Sequence, residues 1–325
     1  MRVYIIEGGA GRSAFFTALI PKLAEKEKIM IMGSYPEITE FDPRVYRSLS
    51  RATTYAWDDI VQNPEHTTVF SDPYFHDRFI KRKCHVIEAW CEQLGVEYSP
   101  DMLPEIYLSK QYKDFAKQFK EDNGNFIMLQ CTSGQSALNF NQQQPFVWSG
   151  FKREYEPEQA QQLVDMLHDR YPKLKIINFC LPNERTANLK NVMMFPTGFM
   201  TYIALLEQAE TFIGINSCLQ HFAAAVRKPG VVLWSGTSPD QWGYKMHTNL
   251  SGKCKELYCS RPYLRELGDF VGNGSRWSCP NPTCVNIPPE DIFIEVDKIL
   301  KNMVVIEPRV KPQDQKDPNC PECKK

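Results

Sequence analysis

The fold is decided by residues 213–225, where an apolar run is followed at once by an amphipathic one. The stretch reads Ile213-Gly214-Ile215-Asn216-Ser217-Cys218-Leu219-Gln220-His221-Phe222-Ala223-Ala224-Ala225. The apolar run predicts a buried strand, and Ser217 with Gln220 three residues later predicts a capping box that begins a helix. The three alanines let that helix pack close to a sheet. The stretch therefore predicts a strand–turn–helix unit of a parallel α/β sheet.

The amino end of this predicted helix is a candidate anion site. Its free N–H groups point to the carboxyl edge of the strands, where open α/β sheets bind their ligands. His221 lies one turn inside the helix and can donate a hydrogen bond to the same phosphate or diphosphate. The alternative is an ordinary strand–helix turn with a packed histidine, and periodicity by itself favours that alternative.

The alternation of strands and helices recurs in two successive runs. The first opens with an apolar segment at residues 3–6, followed by the glycine-rich turn at residues 8–11, and the second restarts at Phe126 after a polar break. We therefore predict an α/β protein with two doubly wound, Rossmann-like domains that face each other across a cleft. The predicted division is residues 1–122, residues 123–301 and a flexible tail, residues 302–325.

Composition and charge exclude several classes of protein. Lys and Arg total 38 and Asp and Glu total 39, so a net charge of −1 excludes a bulk polycation. The 42% of hydrophobic residues is typical of a globular chain. A transmembrane helix needs about 18 consecutive apolar residues, and no apolar run approaches this length. The first residues do not resemble a signal peptide. We expect a cytoplasmic location, where the 11 cysteines would be mostly reduced.

Residues 216–243 extend the first stretch into a longer motif. They read Asn216-Ser217-Cys218-Leu219-Gln220-His221-Phe222-Ala223-Ala224-Ala225-Val226-Arg227-Lys228-Pro229 and, after a strand, Trp234-Ser235-Gly236-Thr237-Ser238-Pro239-Asp240-Gln241-Trp242-Gly243. The pattern resembles the Asp-Ser-Gly-x-x-His-x-Ala-Ala-Ala-x-x-Lys-Pro and Phe-Gly-Pro-Thr-Asp-Pro segments of the heptosyltransferases, glycosyltransferase family nine. Upstream, residues 130–133 and 152–155 stand at the family's His-Pro-Gly and Lys-Arg-Trp-Pro positions. The resemblance implies the GT-B fold.

The resemblance also implies an activity and a set of site residues. The activity is an inverting transfer of a sugar from a nucleotide-diphosphate sugar to an acceptor hydroxyl, with no cofactor required. Lys152 would neutralise the leaving diphosphate, where a fixed cation lowers the barrier, although a solvated surface lysine fits the sequence equally well. The implied donor-binding residues are Thr132, Ser133, Glu184, Asn216, Ser217, Cys218, Leu219 and His221.

The chain departs from the family at the general base. The family carries a Gly-Asp pair after the glycine-rich turn, and this chain has Gly11-Arg12 there. Arginine does not act as a base at neutral pH, so Arg12 is interpreted as a contact for an acidic acceptor. Glu7, at the end of the first strand, becomes the nearest substitute for the base; the alternative is a structural hydrogen bond to the turn. Gly9, Gly11 and Ser13 complete the predicted acceptor site.

A basic pattern lies within a helix that we predict over residues 77–94. Arg78, Lys81, Arg82 and His85 follow at i, i+3, i+4 and i+7, which is one helix face. Such a stripe in the acceptor domain would bind the phosphates of a lipopolysaccharide core or of DNA, so Arg78 and Arg82 are assigned to the acceptor. A solvated helix face is the commoner outcome of such a pattern.

Four cysteines form two pairs in the segment 254–284. Cys254 and Cys259 make one pair, and Cys279 and Cys284 make the other. Four thiolates suit a structural Zn²⁺, although this spacing is at the loose end of known patterns. Unpaired or partly oxidised surface cysteines are the alternative.

Three functions are compatible with these observations. The first is sugar transfer onto a glycan of the lipopolysaccharide type. The second is glycosylation of hydroxymethylated bases in DNA, which the altered base position and the basic stripe favour. The third is a non-catalytic sugar-nucleotide-binding protein, which the missing Gly-Asp carboxylate favours.

Overall fold

The computed structural model describes residues 1–53, 55–133, 153–195, 197–254, 257–258 and 285–303. Within these ranges the strands form two separate sheets, and every strand pairing in them is parallel. The strands of the first sheet are β1 (Arg2–Ile6), β2 (Ile29–Gly33), β3 (Val45–Ser50) and β4 (Thr67–Phe70). Those of the second are β5 (Phe126–Gln130), β6 (Lys175–Asn178), β7 (Phe212–Ile215), β8 (Val231–Trp234) and β9 (Thr248–Ser251).

Helices connect the strands and cover both sheets. The first part of the chain contains α1 (Ala10–Phe16), α2 (Ile20–Ala24), α3 (Asp77–Ile80), α4 (Val86–Leu94) and α5 (Lys110–Asn123). The second contains α6 (Pro157–Arg170), α7 (Phe199–Gln208), α8 (Cys218–Ala225), α9 (Pro239–Trp242) and α10 (Pro289–Met303). None of the helices in the described ranges is long and apolar enough to cross a membrane.

The strand orders show which strands are central in each sheet. Ligands of such sheets bind at the carboxyl ends of these central strands. The orders are β3-β2-β1-β4 in the first sheet and β6-β5-β7-β8-β9 in the second. All residues of β2, β5, β7 and β8 are buried, as expected of parallel strands covered on both faces. The carboxyl ends of β5 and β7 are adjacent, and so are those of β1 and β4.

One continuous apolar core joins the two sheets. It extends from Phe15, Phe16 and Trp90 in the first part to Phe222 in the second. α1 packs directly on α8: a Cβ at Gly11 would lie 3.0 Å from Cδ2 of His221. The absence of a side chain at position 11 therefore sets how closely these two helices approach.

The helix α5 packs mainly on the second sheet's layer, although it precedes the polar break in sequence. The ring of Phe119 lies 5.4 Å from that of Phe126 and 5.5 Å from that of Phe195. Nζ of Lys120 donates to the carboxylate of Glu210 at 2.9 Å. The domain boundary between residues 122 and 123 stays a prediction, and residues 304–325 of the predicted tail lie outside the described residues.

The single helix predicted over residues 77–94 is wrong. α3 ends at Ile80, Arg82 has a φ of 58°, and α4 begins after its N-cap residue His85. A residue in the left-handed region interrupts a helix because its Cβ crowds the following carbonyl. The four basic positions therefore do not share a helix face.

Candidate active site

The amino end of α8 is held by a side chain from a neighbouring strand. Gln130, the last residue of β5, accepts a hydrogen bond from the Leu219 N–H through Oε1 at 3.2 Å. Its Nε2 donates to Oγ of Ser217 at 3.3 Å. Gln130 therefore connects the carboxyl ends of β5 and β7 and occupies one of the free N–H groups of the first helical turn.

Ser217 is the N-cap residue of α8, as predicted, but the predicted capping box is wrong. The Ser217 side chain accepts no capping hydrogen bond. Gln220 donates instead through Nε2 to Oδ1 of Asn216 at 2.6 Å. Gln130, from a neighbouring strand, accepts from the Leu219 N–H, and the local residue Asn216 accepts from the Gln220 side chain, so the two bonds of the box do not form.

Asn216 and Arg153 meet at the same helix end. Nδ2 of Asn216 donates to Oγ1 of Thr237 at 2.7 Å, and its carbonyl accepts from Nη1 of Arg153 at 2.9 Å. The guanidinium of Arg153 thus adds positive charge where an anion would bind. Sequence reasoning quoted Arg153 as part of a motif but assigned the cationic role to Lys152, which lies outside the described residues.

His221 is buried where α1 and α8 meet. Its Nδ1 lies 2.8 Å from Oη of Tyr244, and its ring meets the edge of Phe15 at 5.3 Å. Burial, assisted by the nearby His85 and His247, lowers the pKa of His221 to about 3. The imidazole is therefore neutral at pH 7, and it can contribute one N–H donor but no charge.

Cys218 and Leu219 occupy the first turn of α8 in different ways. Burial raises the pKa of the Cys218 thiol to about 11, so it stays protonated at neutral pH. The side chain of Leu219 is completely buried in the core. Any contact of Leu219 with a ligand must therefore come from its backbone, whose N–H already donates to Gln130.

Thr132 and Ser133, just beyond β5, each bond to a buried carboxylate. Oγ1 of Thr132 donates to Glu184, and burial raises the pKa of Glu184. The N–H and Oγ of Ser133 lie 3.3 and 3.4 Å from Oε1 of Glu154. Glu154 is 1% exposed, and within the described residues its Oε2 has no hydrogen-bond partner. Sequence reasoning missed Glu154, which stands in a motif position where the family has tryptophan.

A second candidate site lies at the carboxyl edge of the first sheet. It is a cleft of about 450 Å³, within the usual range of small-molecule sites. Its lining residues come from the carboxyl ends of all four strands, from the segments that follow them and from α1: Glu7, Gly8, Arg12, Ser34, Arg51, Phe70, Asp72 and Phe75.

Two ion pairs fill the polar part of this cleft. Nη1 of Arg12 lies 2.8 Å from Oδ2 of Asp72, and its guanidinium stacks over the Tyr74 ring at 4.2 Å. Arg51 donates to Oε2 of Glu7. The acidic contact of Arg12 is therefore a residue of this chain, and the carboxylate of Glu7 accepts from Arg51, which lies outside the glycine-rich turn. The structure brings Glu7 and Arg12 together and adds Asp72 and Arg51, which sequence reasoning missed.

The glycine-rich turn supports the cleft through its backbone shape. Gly8 has a φ of 102°, and a Cβ there would lie 2.9 Å from Nε of Arg12. Gly9 is the N-cap of α1 with open space around it, whereas Gly11 faces His221. Ser13 is buried within α1. Of the predicted acceptor glycines, only Gly9 therefore has room for a ligand.

Arg78 and Arg82 do not line the cleft. Nη1 of Arg78 lies 2.8 Å from Oε1 of Glu88 and also contacts Glu92. Arg82 donates to the backbone carbonyl of Tyr258. Both guanidinium groups are thus engaged within the chain, and the expected phosphate-binding stripe is not formed.

The predicted zinc ligands lie mostly beyond the described residues. Cys254 is half-buried with a free thiol, and Cys259, Cys279 and Cys284 fall outside the described ranges. Those ranges contain no group of three or more His, Cys, Asp or Glu side chains that could hold a metal ion.

The fold is that of the GT-B glycosyltransferases. The glycosyl transferase family 9 protein from Veillonella parvula aligns over 93% of this chain and 97% of its own, with 13% identity and a TM-score of 0.63. The iron-containing dodecameric glycosyltransferase TibC from enterotoxigenic E. coli aligns over 94% and 80%, at 14% identity and 0.61. The E. coli ADP-heptose heptosyltransferase II aligns over 94% and 100%, at 12% identity and 0.55.

Part of the second half of the chain is also similar in sequence to a known family. Residues 183–263 match the sequence profile of glycosyltransferase family 9, the heptosyltransferases. No curated protein sequence matches the chain. The heptosyltransferase-like resemblance drawn from the residue 216–229 motif is confirmed, and with the fold it indicates a glycosyltransferase.

Proposed function

We propose that the protein transfers a sugar from a nucleotide-diphosphate sugar to the hydroxyl of a glycan acceptor, with inversion at the anomeric carbon. The observation that carries this proposal is the amino end of α8, where Arg153 and the first-turn N–H groups converge beside buried polar side chains. A helix amino end with an added guanidinium suits a diphosphate. The TibC relative is described in complex with ADP-D-β-D-heptose, which supports a donor of this class.

In this proposal the second sheet binds the donor. The helix end formed by Asn216, Ser217, Cys218 and Leu219 contacts the diphosphate, with His221 as a neutral donor. Lys152 and Arg153 offset the charge that develops as the bond to the anomeric carbon breaks. The remaining donor contacts come from Thr132, Ser133 and Glu184, whose carboxylate is assigned to the ribose hydroxyls.

The first sheet holds the acceptor and the base. The acceptor oxygen attacks the anomeric carbon, the nucleotide diphosphate leaves, and Glu7 takes the proton of the acceptor hydroxyl. Glu7 is favoured over Asp72 because its side chain is 29% exposed and bonds through Oε2, whereas both oxygens of Asp72 are engaged, by Arg12 and by the Tyr74 N–H. Arg12 orients Asp72 and the cleft wall rather than moving a proton.

The proposal includes the setting of the reaction. We place the acceptor in residues 1–122 and the donor in residues 123–301, and the protein in the cytoplasm. The six cysteines of the described ranges are free thiols, in keeping with a reducing compartment.

The test is turnover of a panel of nucleotide sugars. The purified chain is incubated with ADP-, UDP- and GDP-sugars and a set of glycan acceptors, and the released nucleotide diphosphate and product mass are followed by mass spectrometry. We expect acceptor-dependent release with one donor, and NMR of the product should show the opposite anomeric configuration. Retention of configuration would refute the mechanism.

A non-catalytic sugar-nucleotide-binding protein is the second candidate. The observation that favours it is the engagement of both cleft carboxylates with arginines. It predicts tight nucleotide-sugar binding by calorimetry without release under any acceptor condition. DNA glycosylation loses its main support, because the basic stripe is not formed.

A further inference from the structure

The cleft at the first sheet contains acidic and basic side chains in equal number. Each arginine in its lining contacts one of the two carboxylates: Arg12 contacts Asp72, and Arg51 contacts Glu7. A phosphate on the acceptor would have to displace a carboxylate that lies 2.8 Å from Arg12, and it would then face both carboxylates at short range. The lining therefore offers hydrogen-bonding groups without net charge.

Two phenylalanine rings at the same cleft are widely exposed. Phe70, the last residue of β4, is 64% exposed, and Phe75 is 43% exposed. Single exposed apolar residues are common on protein surfaces. Two such rings beside the polar groups of one cleft are instead typical of a ligand contact, since a flat ring packs well on the C–H face of a sugar.

Two further arginines in the first part of the chain, outside the cleft lining, are also paired. Arg44 lies 2.7 Å from Asp42, and Arg78 contacts Glu88 at 2.8 Å. These pairs reduce the positive potential that a polyanionic acceptor would need.

We infer that the acceptor is a neutral glycoside without phosphate or carboxylate, whose ring packs on Phe70 and Phe75 and whose hydroxyls bind the two ion pairs. This inference rests on the proposed function, because it names the second substrate of that reaction. It excludes the phosphorylated core glycans and DNA considered from the sequence.

Binding without a donor is the first test. The full chain is titrated with methyl glycosides of glucose, galactose and mannose and with disaccharides of each, beside the 6-phosphate of every compound, using calorimetry and saturation-transfer NMR. At least one neutral compound should bind, and its phosphate should bind at least tenfold more weakly. Tighter binding of the phosphates, or no binding by any neutral compound, overturns the inference.

Matched variants locate the binding. Phe70→Ala and Phe75→Ala should each raise the Kd of the neutral glycoside at least fivefold. Phe70→Tyr should leave this Kd unchanged. Phe115→Ala is the control, since Phe115 is 48% exposed on α5 and does not line the cleft. An equal loss in the control, or no loss in either cleft variant, overturns the inference.

Nucleotide binding separates the inference about the neutral acceptor from the proposed sugar transfer. ADP and UDP are titrated into the same variants. Glycoside binding without nucleotide binding supports the cleft assignment and refutes the proposed donor site. Nucleotide binding together with turnover of anionic acceptors alone refutes the inference and leaves the proposed function standing.

Discussion

The carboxyl edges of the two sheets differ in how their polar groups are used. At the second sheet, Gln220 donates to Asn216, and Gln130 accepts from the Leu219 N–H. The side chains of Gln130, Asn216 and Gln220 are almost completely buried. At the first sheet, the charged groups stand as two ion pairs beside exposed Phe70 and Phe75. The contrast teaches that the polar groups of one edge are held in a buried hydrogen-bond network, whereas those of the other edge border an open cleft.

Removal of the proposed base should give the largest difference between the two sheet edges. Glu7→Gln should lower kcat by about 10²- to 10⁴-fold, the usual contribution of general base catalysis, with nucleotide Kd unchanged. Turnover and calorimetry on the same preparation check this. Asp72→Asn is the matched comparison, and a larger kcat loss there than in Glu7→Gln would transfer the role to Asp72.

Acid should destabilise the junction between the two parts. Burial lowers the pKa of His221 to about 3 and those of His85 and His247 to about 4, below the ordinary 6.5. The unfolded chain binds these protons first as pH falls, so stability present above pH 6.5 is lost down to about pH 4 for His85 and His247 and down to about pH 3 for His221. Each histidine should contribute about 1.4 kcal/mol per pH unit.

Denaturant unfolding at several pH values measures the slope of the free energy of unfolding against pH and so tests this prediction. His247→Gln keeps a donor for the Gln220 carbonyl, which lies 3.3 Å from Nε2 of His247, and should reduce the slope by one histidine's share. His168→Gln, on the exposed side of α6, should leave the slope unchanged. An identical slope in the wild type and His247→Gln would contradict the explanation.

Loss of the guanidinium at the second edge should act on the donor alone. Arg153→Met is expected to raise the Kd of the nucleotide diphosphate by about 10- to 100-fold, corresponding to a charged hydrogen bond of about 1.5–3 kcal/mol. Calorimetry measures this. Arg170→Met, an exposed arginine of α6, is the control. Unchanged nucleotide affinity in Arg153→Met would remove Arg153 from the donor site.

The contact between α1 and α8 gives the smallest expected effect. Gly11→Ala places a Cβ 3.0 Å from His221 and should reduce the free energy of unfolding by about 1–2 kcal/mol. Gly9→Ala is the matched control because no atom of the described part of the chain lies within 4 Å of its added Cβ. Chemical denaturation measures both, and equal losses would show that backbone freedom rather than the close approach matters.

Buried elements could be predicted from the sequence, and edge elements could not. The apolar runs at residues 3–6 and 213–215 coincide with β1 and β7 to within one residue, because central parallel strands are buried on both faces. The edge strand β3 reads Val45-Tyr46-Arg47-Ser48-Leu49-Ser50 and is mostly exposed or half-buried, so no apolar run marks it. The left-handed residue Arg82 left no signal in the helical spacing.

The sequence by itself determined the α/β class, the repeated parallel architecture and the location of the motif at residues 216–229, because burial periodicity and local turn chemistry are short-range properties. Only the tertiary structure decided which side chains meet. It joined Arg12 to Asp72 across 60 positions and Arg51 to Glu7 across 44, and it replaced the local capping box with Gln130. Pairing energies between side chains from different strands depend on strand order, which no local pattern encodes.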